Sequence, residues 1–350
     1  MFDLRLSPEQ LEIRDTVRDF AEREIRPQAL APARLEAFER PLLTSLLEAA
    51  SKLGLRALAL PEDAGGAGAD ALTCAIVTEE LAAGDPDIAA VLAHTAALAP
   101  ALSRHESFLS QFARDDAFHL ALADGEASRS GGDWVVDGTS PAVANAPVAK
   151  LFLVRTRAGT LLVPRGAPGV SVREQAGDWY HGSCGEVSFS GCRVPAADLA
   201  GAIGPLASPL PAISLGVGRA AYEAALAYAK IRVQGGKPII GHQAIAAKLA
   251  GVAIHLEVAR AAVWRAAWAS DHPEAVADRS LPDLPLAAVA SAFAPEAVLR
   301  AVKDAAECFG AMGVMRDMPL HKHVRDARIC LHSGRGSSGA RLDLAAAIAE

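Results

Sequence analysis

The 350-residue sequence predicts a mainly α-helical protein with a central β module. Three observations carry that prediction. Helical spacing and capping signals dominate both ends of the chain. Short β-favouring runs, separated by Gly and Pro, occupy the middle. The composition is 51% hydrophobic but only 5% aromatic, so the core must be mostly Ala, Leu, Val and Ile. Ala and Leu are strong helix formers, and Ala-rich helices can pack closely. The length exceeds what one core usually fills, so two or three packed units are expected.

The first helix is signalled by Leu6-Ser7-Pro8-Glu9-Gln10. Ser7 suits the N-cap, Pro8 the first helical position and Gln10 the partner position of a capping box. Leu11, Val17, Phe20, Ala21 and Ile25 then recur at roughly helical spacing, and Pro27 is expected to end the run. A second helix is expected over residues 41–53, with Gly54 as its stop. A short apolar piece from Leu55 to Leu60 is closed by Pro61-Glu62-Asp63 and Gly65-Gly66. Helices over 72–83 and 87–98 complete an N-terminal helical domain, residues 1–117.

Residues 118–204 change character. β-favouring runs over 118–123, 134–136, 151–155, 160–163, 170–173 and 186–189 suggest a small sandwich or barrel. Gly, Pro and the Asp137-Gly138 pair are expected to be its turns. From residue 205 to 350 the chain reads as a helical bundle. Helices are expected over 216–232, 243–271, 286–309 and 319–330, with a final one closing the chain. A charged, Pro-rich linker over 272–285 interrupts them. No internal repeat stands out.

The net charge of -7, with no basic block, makes nucleic acid and anionic membranes poor partners. The five Cys show no metal-ligand or redox-motif spacing, which suits reduced thiols in the cytoplasm. Asp3, Arg5 and Glu9 interrupt any signal-peptide-like apolar run. No stretch of about 20 apolar residues predicts a membrane span. The uncharged stretch between Asp198 and Arg219 is broken by Pro205, Pro209 and Pro211.

Two strings carry chemistry. In Glu307-Cys308-Phe309-Gly310-Ala311-Met312-Gly313-Val314, the glycines mark a helix end that another molecule can approach closely. Asp317-Met318-Pro319 and Arg325-Asp326-Ala327-Arg328 follow it. In Arg232-Val233-Gln234-Gly235-Gly236-Lys237-Pro238-Ile239, followed by His242-Gln243, an Arg at a helix C-terminus beside paired glycines suits a diphosphate. Taken singly, each has an ordinary reading: a helix–turn–helix corner with surface Arg-Asp groups, and a tight turn between helices with a surface Arg.

Together these strings resemble the acyl-CoA dehydrogenase family. The stretches Leu6–Gln10, Arg18–Ala21 and Leu60–Glu62, the Gly65-Gly66 turn and the segment Phe189–Pro195 also resemble it, in order along nearly the whole chain. The resemblance implies an N-terminal helical domain, a middle β domain and a C-terminal four-helix bundle. It implies FAD, an acyl-CoA thioester substrate and an electron-transfer flavoprotein. In that family a carboxylate removes the α-proton while the β-hydrogen passes as hydride to the flavin. FAD there is held from two chains, one cradling the isoalloxazine and its neighbour holding the diphosphate and adenosine. The resemblance carries the second set of contacts onto Arg232, Val233, Gln234, His242, Gln243, Glu307, Phe309, Gly310 and Ala311. Glu307 stands where Gln is usual, and Gly235 where Phe is usual.

The same comparison marks what is missing. The family's catalytic Glu falls at Gly334, or at Ser333 with a one-residue shift, and neither is an acid. The segment from Ala202 to Gly218, where some members place the Glu, contains none. The flavin-cradling loop after Ala121-Leu122 is shortened to Ala123-Asp124-Gly125-Glu126-Ala127-Ser128. The family's flavin-facing Trp and Thr align with Ala142 and Ala144, and only Asn145 remains. His332, Asp124 and Glu126 are the nearest substitute bases, and each reads more simply as a solvated loop residue. The sequence therefore predicts a subunit that lends its coenzyme-binding arm to a homologous, fully equipped partner. Such an arrangement resembles the α2β2 dehydrogenases of steroid side-chain thioesters. A flavin-free structural or regulatory subunit, or a homo-oligomeric flavoprotein of another reaction type, are the alternatives.

Overall fold

Ser7 does what its position suggests. Its Oγ accepts from the Gln10 N–H at 3.1 Å and the Gln10 Oε1 accepts from the Ser7 N–H at 3.0 Å, closing a capping box. The computed structural model describes residues 5–349 except 38–39, 176–178, 204–205 and 277–284. Pro205 and most of the expected linker over 272–285 lie outside the described residues.

The helices among the described residues are α1 (Pro8–Phe20), α2 (Arg26–Ala29), α3 (Pro32–Ala37), α4 (Thr44–Lys52), α5 (Ala71–Gly84), α6 (Pro86–Leu98), α7 (Glu106–Arg114), α8 (Leu210–Ile231), α9 (Gln243–Asp271), α10 (Leu286–Glu307), α11 (Pro319–His332) and α12 (Gly336–Ala349). The strands are β1 (His119–Asp124), β2 (Glu126–Ser130), β3 (Asp133–Ala144), β4 (Ala149–Thr156), β5 (Gly159–Pro164), β6 (Val170–Glu174), β7 (Cys184–Pro195), β8 (Val233–Gln234) and β9 (Lys237–Pro238). They form two compact units, neither continuous in sequence. One comprises residues 1–41, 70–89 and 208–350, the other 42–69 and 90–207.

In the first unit α8, α9, α10 and α11 share a core of Leu215, Ala221, Ala225, Leu256, Val298, Val302 and Leu320. Each fully buried large apolar side chain contributes about 1.5–3 kcal/mol. Helix α5 lies directly on α8. A Cβ at Gly216 would fall 2.3 Å from the Glu79 carbonyl oxygen, so only glycine permits that approach. The acids of α5 are tied from three other helices. Arg260 donates to Glu79 at 2.7 Å, Arg219 to Glu80 at 2.5 Å and Arg18 to Glu80 at 2.8 Å. Lys322 Nζ is buried between Asp326, at 2.6 Å, and Asp85, at 3.7 Å.

The second unit holds two sheets. One has the order β1-β4-β5 with β1 parallel to β4, the other the order β2-β3-β7-β6. Phe152 and Val154 of β4 face the other sheet, together with Trp134, Val136 and Phe189. Leu151 and Leu153 of β4 point the opposite way, into Leu98, Leu102, Phe108 and Phe112 of the helical segments. The period-2 alternation thus places an apolar residue on each face of a doubly buried strand.

The structure departs from the sequence expectations at identifiable points. The first helical run does not end at Pro27. A π-turn over Ala21–Ile25 carries it into α2, whose first turn holds Pro27, where a missing N–H costs no bond within α2. Asp137-Gly138 is a bulge inside β3 rather than a turn. The register against β7 shifts there, Gly138 takes φ 125°, and Asp137 Oδ1 accepts from the Gly191 N–H at 2.7 Å. Strands β3 and β7 run through segments where only Trp134–Val136 and Glu186–Phe189 were expected. Strand β2 and helices α3 and α7 were not anticipated. Strand β2 is polar and largely exposed, so it lacks an apolar alternation to detect. Helix α8 begins at Leu210 rather than Gly216, with Pro211 in its first turn.

Candidate functional site

Helix α8 ends on Arg232, whose N–H bonds the Tyr228 carbonyl at 2.8 Å while its backbone turns extended. The chain then forms the β8–β9 hairpin rather than a simple turn between helices. Gly235 and Gly236 connect the strands with φ of 59° and 81°, the two positive values a two-residue hairpin turn favours. The Ile239 N–H returns to the Arg232 carbonyl at 2.8 Å, so the loop closes on itself. Residues 231–238 are all exposed. Among the described residues, the Arg232 guanidinium has no hydrogen-bond or ion-pair partner.

His242 precedes α9, and its Nε2 lies 2.9 Å from the Gln234 carbonyl oxygen. A Cβ at Gly235 would sit 3.2 Å from His242 Cε1. Gln243, the first residue of α9, is exposed.

The second string packs against the same end of the bundle. Helix α10 ends at Glu307, and a 3-10 turn over Gly310–Val314 follows. Gly310 takes φ 58°, and a Cβ at Gly313 would meet the Ala306 carbonyl oxygen at 2.2 Å. Glu307, Gly310 and Ala311 are exposed. Phe309 is buried instead, stacked on Tyr228 with ring centroids 4.2 Å apart and planes 10° apart. Tyr228 Oη lies 3.6 Å from Met312 Sδ. Since Tyr228 is one helical turn before Arg232, this stack joins the two strings. The Glu307 carboxylate is paired: Lys248 Nζ lies 2.5 Å away. Sequence reasoning missed Tyr228 and Lys248. Tyr228 had a signal in helical spacing, four residues before Arg232, whereas Lys248, five residues beyond Gln243, had none.

Gly334 and Ser333 lie in the short connection between α11 and α12. Gly334 is exposed with φ 60°, and no atom lies within 4 Å of where its Cβ would be. Ser333 is buried. His332 is exposed at the end of α11.

Models of the family match this chain at both ends. The acyl-CoA dehydrogenase N-terminal domain matches residues 7–107 and the C-terminal domain residues 209–349. Benzylmalonyl-CoA dehydrogenase of Aromatoleum aromaticum is 31% identical, the alignment covering 98% of each chain. The chain belongs to the acyl-CoA dehydrogenase family. Its fold agrees. Butyryl-CoA dehydrogenase from Megasphaera elsdenii superposes with a TM-score of 0.85 at 21% identity, covering 100% of both chains. Glutaryl-CoA dehydrogenase from Mycobacterium smegmatis in complex with FADH2 gives 0.80 at 20% identity, covering 98% of this chain and 95% of that one. Among the described residues no helix is long and apolar enough to cross a membrane, and no cluster of His, Cys, Asp and Glu could hold a metal.

Only Gly125 separates β1 from β2. A Cβ there would fall 2.9 Å from Val154 Cγ1, so the connection is closed down on β4. The Asp124 carboxylate accepts from Arg155 at 2.9 and 3.2 Å. Asn145 is buried with φ 66°, donating through Nδ2 to the carbonyls of Val91 and Leu120. Its amide N–H groups are therefore spent inside this unit. Ala142 is exposed and Ala144 half-buried, and neither carries a polar group.

Proposed function

We propose that this chain is one subunit of an FAD-dependent acyl-CoA dehydrogenase that desaturates an acyl-CoA thioester, and that it lends its coenzyme-binding arm to a homologous partner. The partner would supply the carboxylate base and the flavin cradle, and an electron-transfer flavoprotein would take the electrons. One observation carries the reading. The exposed Arg232 guanidinium has no ion-pair or hydrogen-bond partner among the described residues, beside a Gly235-Gly236 turn, whereas a single residue joins β1 to β2 and Gly334 stands where the resemblance would put the base.

The fit to the coenzyme is divided accordingly. Arg232 can fork onto diphosphate oxygens, and the glycine turn leaves backbone N–H groups open to the same ligand. Lys248 offsets the Glu307 charge that would otherwise repel it. The residues of the β module offer an isoalloxazine of their own little to hold it: Gly125 alone joins β1 to β2, and Asp124 is engaged by Arg155. When bound, FAD accepts the electrons taken from the thioester. On this reading the chain's own residues bind and orient that coenzyme, and the partner removes the α-proton.

The test is co-expression with a homologous partner, followed by flavin per subunit and dye-linked oxidation of acyl-CoA. The assembly is expected to bind fewer flavins than subunits and to turn over, with Arg232→Ala weakening flavin retention by about 1.5–3 kcal/mol. One FAD per subunit and turnover by the chain alone would refute the reading.

A further inference from the structure

We propose that His242 is a positioning residue whose imidazole locks the β8–β9 hairpin in the shape that presents Arg232, and that residue 235 is glycine because this ring takes the space a side chain would need. The inference rests on the arm reading above and deepens it.

The hairpin cannot hold its shape unaided. It has two paired positions, Val233 with Pro238 and Gln234 with Lys237. An isolated two-stranded hairpin is marginal even when longer. Its turn is two glycines, which lose the most backbone freedom on ordering. Residues 231–238 are exposed, so no core clamps them. Beyond the Ile239 N–H bond to the Arg232 carbonyl that closes its base, it is tied to the segment that leads into α9. The Lys237 aliphatic chain lies along Gly241, with Cδ 3.3 Å from where a Cβ would be. The His242 ring reaches the Gln234 carbonyl.

The ring is itself well anchored. The His242 N–H bonds the Ile239 carbonyl at 3.0 Å, and its carbonyl accepts from Ile245 and Ala246 at 3.0 Å as α9 begins. The imidazole therefore projects from the N-cap of a 29-residue helix onto a hairpin that hangs from the end of α8. A carbonyl oxygen only accepts, so Nε2 must carry the hydrogen. The His242 Cε1 and Nε2 atoms lie 3.2 and 3.5 Å from a Cβ built at Gly235. A Cβ at 235 would crowd the ring against Gln234 and force it to shift, quite apart from the strain of a φ of 59°.

The experiment uses the 15N-labelled full chain and its co-expressed complex with the partner, FAD being the ligand. Neutral His242 should be the Nε2–H tautomer. His242→Phe keeps the ring and removes the donor, and should speed amide exchange over residues 233–239 roughly tenfold, the ratio a typical lost hydrogen bond produces. FAD should leave the complex faster by a similar factor. His242→Gln, which restores a donor, should recover part of both. Gly235→Ala should cost more protection beside His242 than in a His242→Ala background. An Nδ1–H tautomer, or wild-type exchange in His242→Phe, would overturn the proposal. If His242 variants loosen the hairpin while Arg232→Ala leaves flavin untouched, the interlock stands and the arm reading falls. If Arg232→Ala releases flavin while His242 variants change nothing, the arm reading stands and the interlock falls.

Discussion

Tyr228 and Phe309 lie face to face, 4.2 Å between ring centroids and 10° from parallel, and so fasten the end of α8 to the corner after α10. One ring sits a helical turn before Arg232, the other between Glu307 and Gly310. Two segments more than 70 positions apart in sequence are thereby held at one end of the bundle.

This stack predicts a stability difference. Phe309 is buried, so Phe309→Ala should destabilise the chain by about 3 kcal/mol through the cavity it leaves. Tyr228→Phe keeps the ring and loses only a long contact to Met312 Sδ, so it should cost less than about 1 kcal/mol. Denaturant midpoints at constant slope measure both. Equal losses would contradict a stacking role.

The Lys248–Glu307 pair should matter more to an anion than to folding. Its members are 31% and 65% exposed, so breaking it should change stability by less than about 1 kcal/mol. Glu307→Gln should strengthen flavin retention in the complex and Lys248→Ala should weaken it. Both effects should shrink as salt is raised. Release rates of FAD at low and high ionic strength test this, and identical behaviour of the two variants would count against it.

Three histidines give the chain an acid sensitivity, one of them His94, which burial pushes down to about 4. Burial, helped by Arg56, pushes the His119 imidazole down to about 4, and burial, helped by Lys322, pushes that of His323 down to about 3. The ordinary value is 6.5. Between these limits the unfolded chain binds a proton that the folded chain refuses, so stability falls as pH falls. Their contribution is full above 6.5 and declines towards pH 4, by at most about 1.4 kcal/mol per pH unit for each histidine. Denaturant melts from pH 4 to 8 should show this slope, and His119→Asn should flatten it.

Gly334→Glu should not create an enzyme. The position has open space, but its φ of 60° strains any residue with a Cβ by about 1–2 kcal/mol. A carboxylate there would still lack a flavin cradle, because Gly125 alone joins β1 to β2. The variant chain, assayed alone with acyl-CoA and an electron-accepting dye, is expected to stay inactive. Turnover would show that the missing base is the whole defect.

Ser7, Pro8 and Gln10 announced a capped helix that the structure contains, because capping is local chemistry written in adjacent residues. Gly54, with φ 80°, was legible as a stop for the same reason. Pro27 and Asp137-Gly138 misled, because a proline or an Asp-Gly pair has one meaning in isolation and another inside a π-turn or a bulge. Strand β2 was illegible because its polar residues gain their conformation from pairing with β3, a contact no local pattern records.

The arm shows the same division. Arg232, the paired glycines and the Glu307–Val314 corner could be picked out as chemistry from residue type and spacing, while the expectation of an acid at Gly334 came only from the family resemblance. Hydrophobic period and helix-capping residues likewise marked the order of helices, β module and helices. Packing settled the rest. It buried Phe309 under Tyr228, set Lys248 against Glu307, swung the His242 ring over Gly235 and drew α5 onto α8 at Gly216. Those outcomes depend on which distant surfaces exclude water together and which atoms then come within reach, and no stretch of neighbouring residues encodes either.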